Sequence, residues 1–332
     1  LSTASVSETL IGGIVRPQKS ETWEAGLAQT FFQKRLNVDL AYYHKLESDF
    51  IINGGVSEST GYKSIQTNSK EQRLRTGVEL VVGGTPLQTK DFSWHILTNW
   101  SHDKYTYHKL DPDYSTKRPW IKEGADWDWI AIYDWERDPD GNIVHNGGIP
   151  VRQTFQKKVG KYVPDLVWGI TNTFRYKNWT LSFTFDGRVG GISYSKTHQM
   201  LWNSGTHVDS DNQYRYDEVV NGNISYVGQG VKVVSGAVKR DPDGNVLEDT
   251  RVAPNDIVVS YESYITKYHD SHASPSWQNM LSQTFFKLRN LSLTYDIPQS
   301  VCKKIGMKNA SVSFTGQNLL LWAKEFKYAD PE

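Results

Sequence analysis

The sequence predicts an all-β chain of long antiparallel strands, on three observations. Apolar and polar residues alternate with a period of two. The alternating runs come in pairs joined by short turns, with much longer segments between the pairs. The runs also exceed the roughly five or six residues of an ordinary strand. "LNVDLAYYHKLESDFI" puts Leu36, Val38, Leu40 and Tyr42 on one face and Asn37, Asp39, Ala41 and Tyr43 on the other. "WTLSFTFDGR" sets Trp179, Leu181, Phe183 and Phe185 against Thr180, Ser182, Thr184 and Asp186. "LSLTYDIP" and "ASVSFTGQN" repeat the alternation. One apolar and one polar face suits a sandwich whose outer side meets water, and also a membrane barrel with lipid outside and a wet lumen. Short turns at one end and long segments near 108–161 and 195–284 at the other favour the barrel, because ordinary domains rarely carry such loops.

Eight strands are expected, near 19–33, 36–51, 71–83, 91–109, 164–176, 178–194, 285–297 and 310–322. The first two are joined by "FFQKRLNV", the third and fourth by "VGGTPLQTKDFSW", and the fifth and sixth by "YKNW". The last two are joined by "QSVCKKIGMKN", which carries Lys303, Lys304 and Lys308 and suits a short helical turn. The runs are long enough for the about nine to eleven tilted residues of a membrane crossing. Trp23, Phe31, Tyr42, Phe92, Trp100, Trp168, Tyr176, Trp179, Tyr295 and Trp322 sit near strand ends, where interfacial girdles would place them.

Composition narrows the function. The 332 residues hold 37 Lys+Arg and 37 Asp+Glu, a net charge of +0, so no nucleic-acid partner is expected. Cys302 is the only cysteine, which excludes a disulfide within the chain and a cysteine-rich zinc site. No run of eighteen apolar residues offers a transmembrane helix, a test to which barrel strands are invisible.

Two stretches resemble one family. "VRPQKSETWEAGLAQTFFQKRLNVDLAYYHKLESDFI" is similar to a passage of SusC/RagA-like TonB-dependent outer-membrane transporters, with Gln18 standing where that pattern has a glutamate. "FFKLRNLSLTYDIPQSVCKKIGMKNASVSFTGQNLLLWAKEFKYADPE" resembles their near-C-terminal signature through Phe286, Leu288, Asn290, Leu293, Tyr295, Pro298, Gln317, Asn318, Leu319 and Asp330-Pro331-Glu332. The resemblance implies an antiparallel transmembrane barrel of about 22 strands, of which this chain supplies about eight with their long extracellular loops. It implies residence in the outer membrane of a Gram-negative bacterium, among its lipids. It further implies active import of a glycan or oligopeptide, energy from the TonB complex acting on a plug domain, and a SusD-like surface lipoprotein as lid. Residues 1–332 are then expected to be the C-terminal part of one barrel domain, with the plug, the first barrel half and the final strand outside this chain. No cofactor is implied. The rivals are a passive porin and a secreted carbohydrate-binding or glycan-cleaving sandwich.

Candidate contacts follow. "KEGADWDWIAIYDWERDPDGN" gathers Trp127, Trp129, Tyr133 and Trp135 beside acidic residues, and Trp202 lies in the later long segment. Such rings suit sugar stacking, a protein partner or packing within the loop. On the polar strand face Asn37, Asp39, Glu79, Arg175, Asp186 and Arg188 are candidates to face the lumen, while Lys287 and Arg289 share the parity of Leu291 and suit an interface. The pairs Asp209/Asp211 and Glu262/Asp270 give no reason to expect catalysis, and His198 and His207 match no metal motif, so the segment around them reads as a solvated loop. No catalytic or metal residue is expected.

RDPDGN occurs twice, at 137–142 and 240–245. A calcium loop needs a bidentate Glu at its twelfth position, but Ile149 and Val252 stand there. Pro-Asp-Gly favours a hairpin tip, and a weak cation site at Asp138, Asp140 and Asn142 is the alternative.

Overall fold

The computed structural model describes residues 8–241, 244–269 and 277–331. Eight long strands form one sheet in chain order: β1 (Lys19–Phe31), β2 (Leu36–Ser48), β3 (Gln72–Gln88), β4 (Phe92–Lys109), β5 (Leu166–Tyr176), β6 (Trp179–Val189), β7 (Phe285–Asp296) and β8 (Ser311–Ala323). Neighbours pair antiparallel, so the expected meander is observed. Three boundaries differ most from expectation. β2 stops at Ser48, where Asp49 takes a positive φ of 58°. β3 runs on past Gly83, because a bulge between Gly84 and Leu87 brings Leu87 opposite Trp94. β6 stops at Val189, because Gly190 and Gly191 both take positive φ, at 78° and 76°.

The register fixes two faces. Leu27, Leu40, Leu80, Trp100 and Trp168 lie opposite one another across five strands. One position away, Asp39, Val81, Asn99, Gly169, Asp186 and Lys287 form the matching row on the other face. The apolar face is open, with Leu27 54% and Trp322 50% exposed. It carries two aromatic bands: Trp23 and Phe31, Trp168 and Tyr176, and Phe314 and Trp322 are each eight residues apart on one strand. Eight residues span about 26 Å along a strand, or about 20 Å after a tilt of about 40°, close to the height of an outer-membrane apolar band. Phe286 stacks on Trp322 at 5.6 Å, and Trp179 tilts against Tyr295 at 4.6 Å, one pair in each band.

The connections 32–35, 89–91 and 177–178 are short. Helix occurs in the link 297–310, and Cys302 is buried there with Sγ 3.5 Å from the Ile297 carbonyl. The connections 49–71, 110–165 and 190–284 leave from the opposite strand ends. The first two are tied by the buried Asp111, whose carboxylate accepts from Ser69 Oγ at 3.0 Å and from the backbone N–H groups of Lys70, Asp113 and Tyr114. These donors hold its carboxyl below the usual range against the cost of burial.

Residues 129–163, 190–284 and 323–332 form a second compact unit. It has its own core, with Val144, His145 and Asn279 fully buried. A four-stranded sheet runs in the order Ile149–Pro150, Val144–Asn146, Val231–Val233, Val252–Pro254. The helices α1 (Lys196–Asn203), α2 (Gln213–Asn221) and α3 (Tyr261–Tyr268) stand where the sequence reads as a solvated loop, and this corrects that expectation. Each helix has the side-chain cap that marks its start: Ser195 accepts from His198 N–H, Asn212 from Arg215 N–H and Ser260 from Ser263 N–H.

Each RDPDGN copy closes a hairpin. Asp138 N–H donates to the Asn142 carbonyl at 3.0 Å, Gly141 N–H donates to the Asp138 carbonyl at 3.0 Å, and Gly141 has φ +89°. The second copy repeats both bonds between Asp241, Gly244 and Asn245, with Gly244 at φ +83°. In the first copy this is the three-residue hairpin loop that ends on a left-handed glycine. Both carboxylate oxygens of Asp138 accept from Asn142, at 2.8 and 3.0 Å, which ties the turn to its own side chains. The hairpins are tied by charge. Buried Glu136 pairs with Arg240 at 2.7 Å and with Arg251, which also holds Asp249 at 2.7 Å.

Candidate functional site

The polar sheet face collects the six strand candidates. Asn37 and Asp39 of β2 face Gly83 and Val81; Glu79 faces Ser101; Arg175 faces Thr180, which shares the parity of Asp186 and Arg188. All six therefore lie on one face. A feature of β7 escaped the parity reading. The register shifts between Thr184 and Phe185, making Arg289 an extra residue. Arg289 Nε then reaches the Asp186 carboxylate at 3.0 Å, and Lys287 comes opposite Asp186 with 1% of its surface exposed. Lys287 and Arg289 thus join the polar face, because a bulge inverts alternation beyond it. Near the other strand ends, Arg75 pairs with Asp103 at 2.9 Å and lies over the rings of Tyr43 and Tyr105. Arg73 lies over Phe50 and Trp127 at 4.9 and 5.0 Å and pairs with Glu71. These sandwiched guanidiniums are cation–π contacts that stiffen the polar face.

The tryptophan-rich stretch does not converge on one ligand. Trp127 packs edge-on against Tyr105 at 5.0 Å. Trp129 carries Lys158 Nζ at 3.9 Å over its ring. Tyr133 carries the Arg152 guanidinium at 5.4 Å. Trp135 is 5% exposed and stacks on Tyr268 at 5.8 Å. Trp129 and Tyr133 thus meet cations of their own loop, whereas Trp127 packs on strand β4 and Trp135 on helix α3.

Trp202 heads a different arrangement. Its indole lies between two parallel imidazoles, His207 at 4.2 Å and 14° and His269 at 4.5 Å and 8°. Its Nε1–H donates to His198 Nε2 at 3.2 Å. Asn279 Nδ2 donates to the His269 carbonyl at 3.1 Å, so its Oδ1 faces the two imidazoles it touches, His198 Nδ1 at 3.0 Å and His269 Nδ1 at 3.1 Å. Both rings must donate from Nδ1, which leaves Nε2 as a lone-pair acceptor on each. Burial, with the neighbouring imidazoles, pushes His207 down and His269 down to about 4, against the Asn279 hydrogen bond to His269, so both are neutral at pH 7. Helix α1 supplies His198 and Trp202, the turn before α2 supplies His207, and the end of α3 supplies His269. Beside this cluster opens a crevice of about 450 Å³, lined in part by Tyr226, Tyr264, Tyr268 and Tyr328.

The sequence separates the three histidines by up to 71 positions, so no local motif announces the cluster. Among the described residues no group of three or more His, Cys, Asp and Glu is placed to hold a metal ion. Asp209 is an exposed carboxylate 3.7 Å from His207 Nδ1. Asp270, and with it the Glu262/Asp270 pair, lies outside the described residues.

A family profile described as "TonB dependent receptor-like, beta-barrel" matches residues 5–319. TonB-dependent receptor P3 of Formosa agariphila is 22% identical over 349 residues, covering 95% of this chain and 30% of that protein. TonB-dependent receptor SusC of Bacteroides thetaiotaomicron is 25% identical over 203 residues, covering 53% of this chain and 20% of that protein. The RagAB peptide importer in its open-open state superposes with a TM-score of 0.59 at 18% identity, over 94% of this chain and 32% of that one, a likeness of fold. The chain thus spans about a third or less of the length of these relatives.

Proposed function

The chain belongs to the TonB-dependent receptor-like β-barrel family, and on that premise we propose that it forms part of the wall and outer loops of an importer in the outer membrane of a Gram-negative bacterium. The cargo of that importer is a glycan or oligopeptide. One observation carries the reading: an eight-stranded antiparallel sheet has an exposed apolar face with two aromatic bands and a polar face carrying Asp39, Glu79, Arg175, Asp186 and Arg188. The apolar face meets lipid and the polar face lines the lumen. In this reading residues 1–332 are the C-terminal part of one barrel domain, and the plug and the remaining strands belong to the rest of the protein.

The mechanism needs no covalent step. Fixed charges along the wall hydrate the lumen and guide cargo, and the network of Arg75, Asp103, Tyr43 and Tyr105 ties neighbouring strands of the wall together. The second compact unit supplies folded surface to a SusD-like lipoprotein that captures cargo and closes over the barrel. A folded partner surface lowers the ordering cost of each closure. TonB acts on the plug to release cargo. Sharing of the RagAB fold supports a two-component importer.

The test uses the encoding bacterium. Deletion of the gene removes uptake of one glycan or peptide class, loss of TonB removes the same uptake, and a lipoprotein of comparable abundance co-purifies in detergent. Uptake that persists without TonB contradicts the proposal and favours a passive pore.

A further inference from the structure

We propose that the turn 32–35 binds one anionic phospholipid of the periplasmic leaflet, with the lipid phosphate on Arg35 and an acyl chain in a dent beside Gly84. This rests on the import reading for which sheet face meets lipid and which strand ends face the periplasm. The register builds the dent. Phe31, Leu36, Gly84 and Ile96 lie opposite one another across β1 to β4, on the apolar face. Gly84 brings no side chain to that row, and the bulge after it leaves Thr85 and Pro86 out of the ladder to β4. The result is a cavity of about 320 Å³, lined by Phe32, Leu36, Val82, Pro86 and Ile96 together with Arg35. That volume is near the lower end for ligand sites and holds a segment of one acyl chain.

Depth favours a lipid. Phe31 belongs to the aromatic band at the short-turn end, so the dent lies at the level where headgroups replace hydrocarbon. Phe32, at the rim, is 74% exposed. Charge selects the headgroup. The turn is clasped to the bulge: Thr85 N–H donates to the Arg35 carbonyl at 2.8 Å, Arg35 Nε donates to the Thr85 carbonyl at 3.3 Å, and Nη2 donates to the Pro86 carbonyl at 3.0 Å. These bonds position the guanidinium before a ligand arrives and do not neutralise it. They also leave N–H donors over, in a fork that matches phosphate oxygens. No acidic residue lines the dent, and neither Arg35 nor the adjacent Lys34 pairs with a carboxylate among the described residues. Two cations without an acid favour a headgroup of net negative charge over a zwitterionic one. The apolar lining gives a free phosphate nothing to bind, whereas a lipid fills both halves of the site.

The test is native mass spectrometry of the delipidated full-length protein, titrated with dioleoyl phosphatidylglycerol, dioleoyl phosphatidylcholine and inorganic phosphate. One phosphatidylglycerol is expected to bind about fivefold tighter than phosphatidylcholine, the worth of one basic side chain at a lipid surface. Inorganic phosphate is expected not to displace it. Arg35→Gln is expected to bring phosphatidylglycerol down to the level of phosphatidylcholine. Val82→Phe fills the dent and is expected to weaken both lipids, by about fourfold for each methylene displaced. Melting of each variant checks the fold, and Val82→Phe, which leaves the turn intact, keeps the test decisive if Arg35→Gln does not fold. Equal binding of the two lipids, displacement by inorganic phosphate, or phosphatidylglycerol binding that either folded variant leaves unchanged overturns the proposal. So does a dimer that Val82→Phe dissolves, which assigns the dent to a second copy of the chain. If lipid selectivity fails while TonB-dependent uptake holds, this inference falls alone; if selectivity holds and uptake survives without TonB, the import reading falls instead.

Discussion

Replacing Trp202 with alanine lowers the stability of the unit 129–163, 190–284 and 323–332 by about 3–5 kcal/mol, the usual cost of deleting a packed indole. Three contacts vanish together. Two stacked imidazoles lose their shared partner, and His198 Nε2 loses its donor. Trp202→Phe keeps a smaller ring between the histidines and loses the N–H bond and part of the stacked area, about 1–3 kcal/mol. Tryptophan and near-ultraviolet circular dichroism during denaturant unfolding of the full protein measure both. A Trp202→Ala loss below about 1 kcal/mol shows that the stack carries little. The same cluster predicts acid sensitivity. His269 is held down to about 4 in the fold against 6.5 unfolded. The unfolded chain therefore binds the extra proton first, and stability falls as the pH drops from about 6.5 towards 4, by up to about 3 kcal/mol. His269→Gln flattens that slope.

The second large effect concerns the sheet. Leu40→Arg destabilises the full-length barrel in phospholipid vesicles by about 2–4 kcal/mol, the cost of a guanidinium near mid-bilayer. Leu40 lies in the apolar row between Leu27 and Leu80. Asp39→Arg, one residue away on the polar face, changes stability by less than about 1 kcal/mol. The contrast is the prediction, because a water-facing sheet would tolerate both changes. Reversible urea unfolding into vesicles measures it.

The strands were legible because alternation is a strong local signal and each face is uniform over many residues. All eight stand in the expected order, and the six lumen candidates fall on one face. The signal failed at Lys287 and Arg289, where one bulge residue inverts parity. It also failed where glycines cut β6 short. The RDPDGN tips were readable because Asp, Pro and Gly each have a local conformational role in that turn. The second unit was not readable as a fold. Its helices are only eight or nine residues long, and their caps at Ser195, Asn212 and Ser260 are single residues in a polar stretch. Trp202 could be named as an aromatic of interest, but its partners His207 and His269 come from separate turns. Only the tertiary fold assembles them.

The central claim is that one sheet face meets lipid and the other does not. Nitroxide labels placed singly at positions 37 to 42 of β2, in the full-length protein in its own outer membranes, test this most directly. Oxygen is expected to reach Val38, Leu40 and Tyr42 strongly and a water-soluble nickel chelate to reach them weakly, with oxygen access falling at Asn37, Asp39 and Ala41. Loss of that two-residue period contradicts it. So does a nickel chelate that reaches the even positions freely, or even positions immobilised and shielded from oxygen as in a sandwich core.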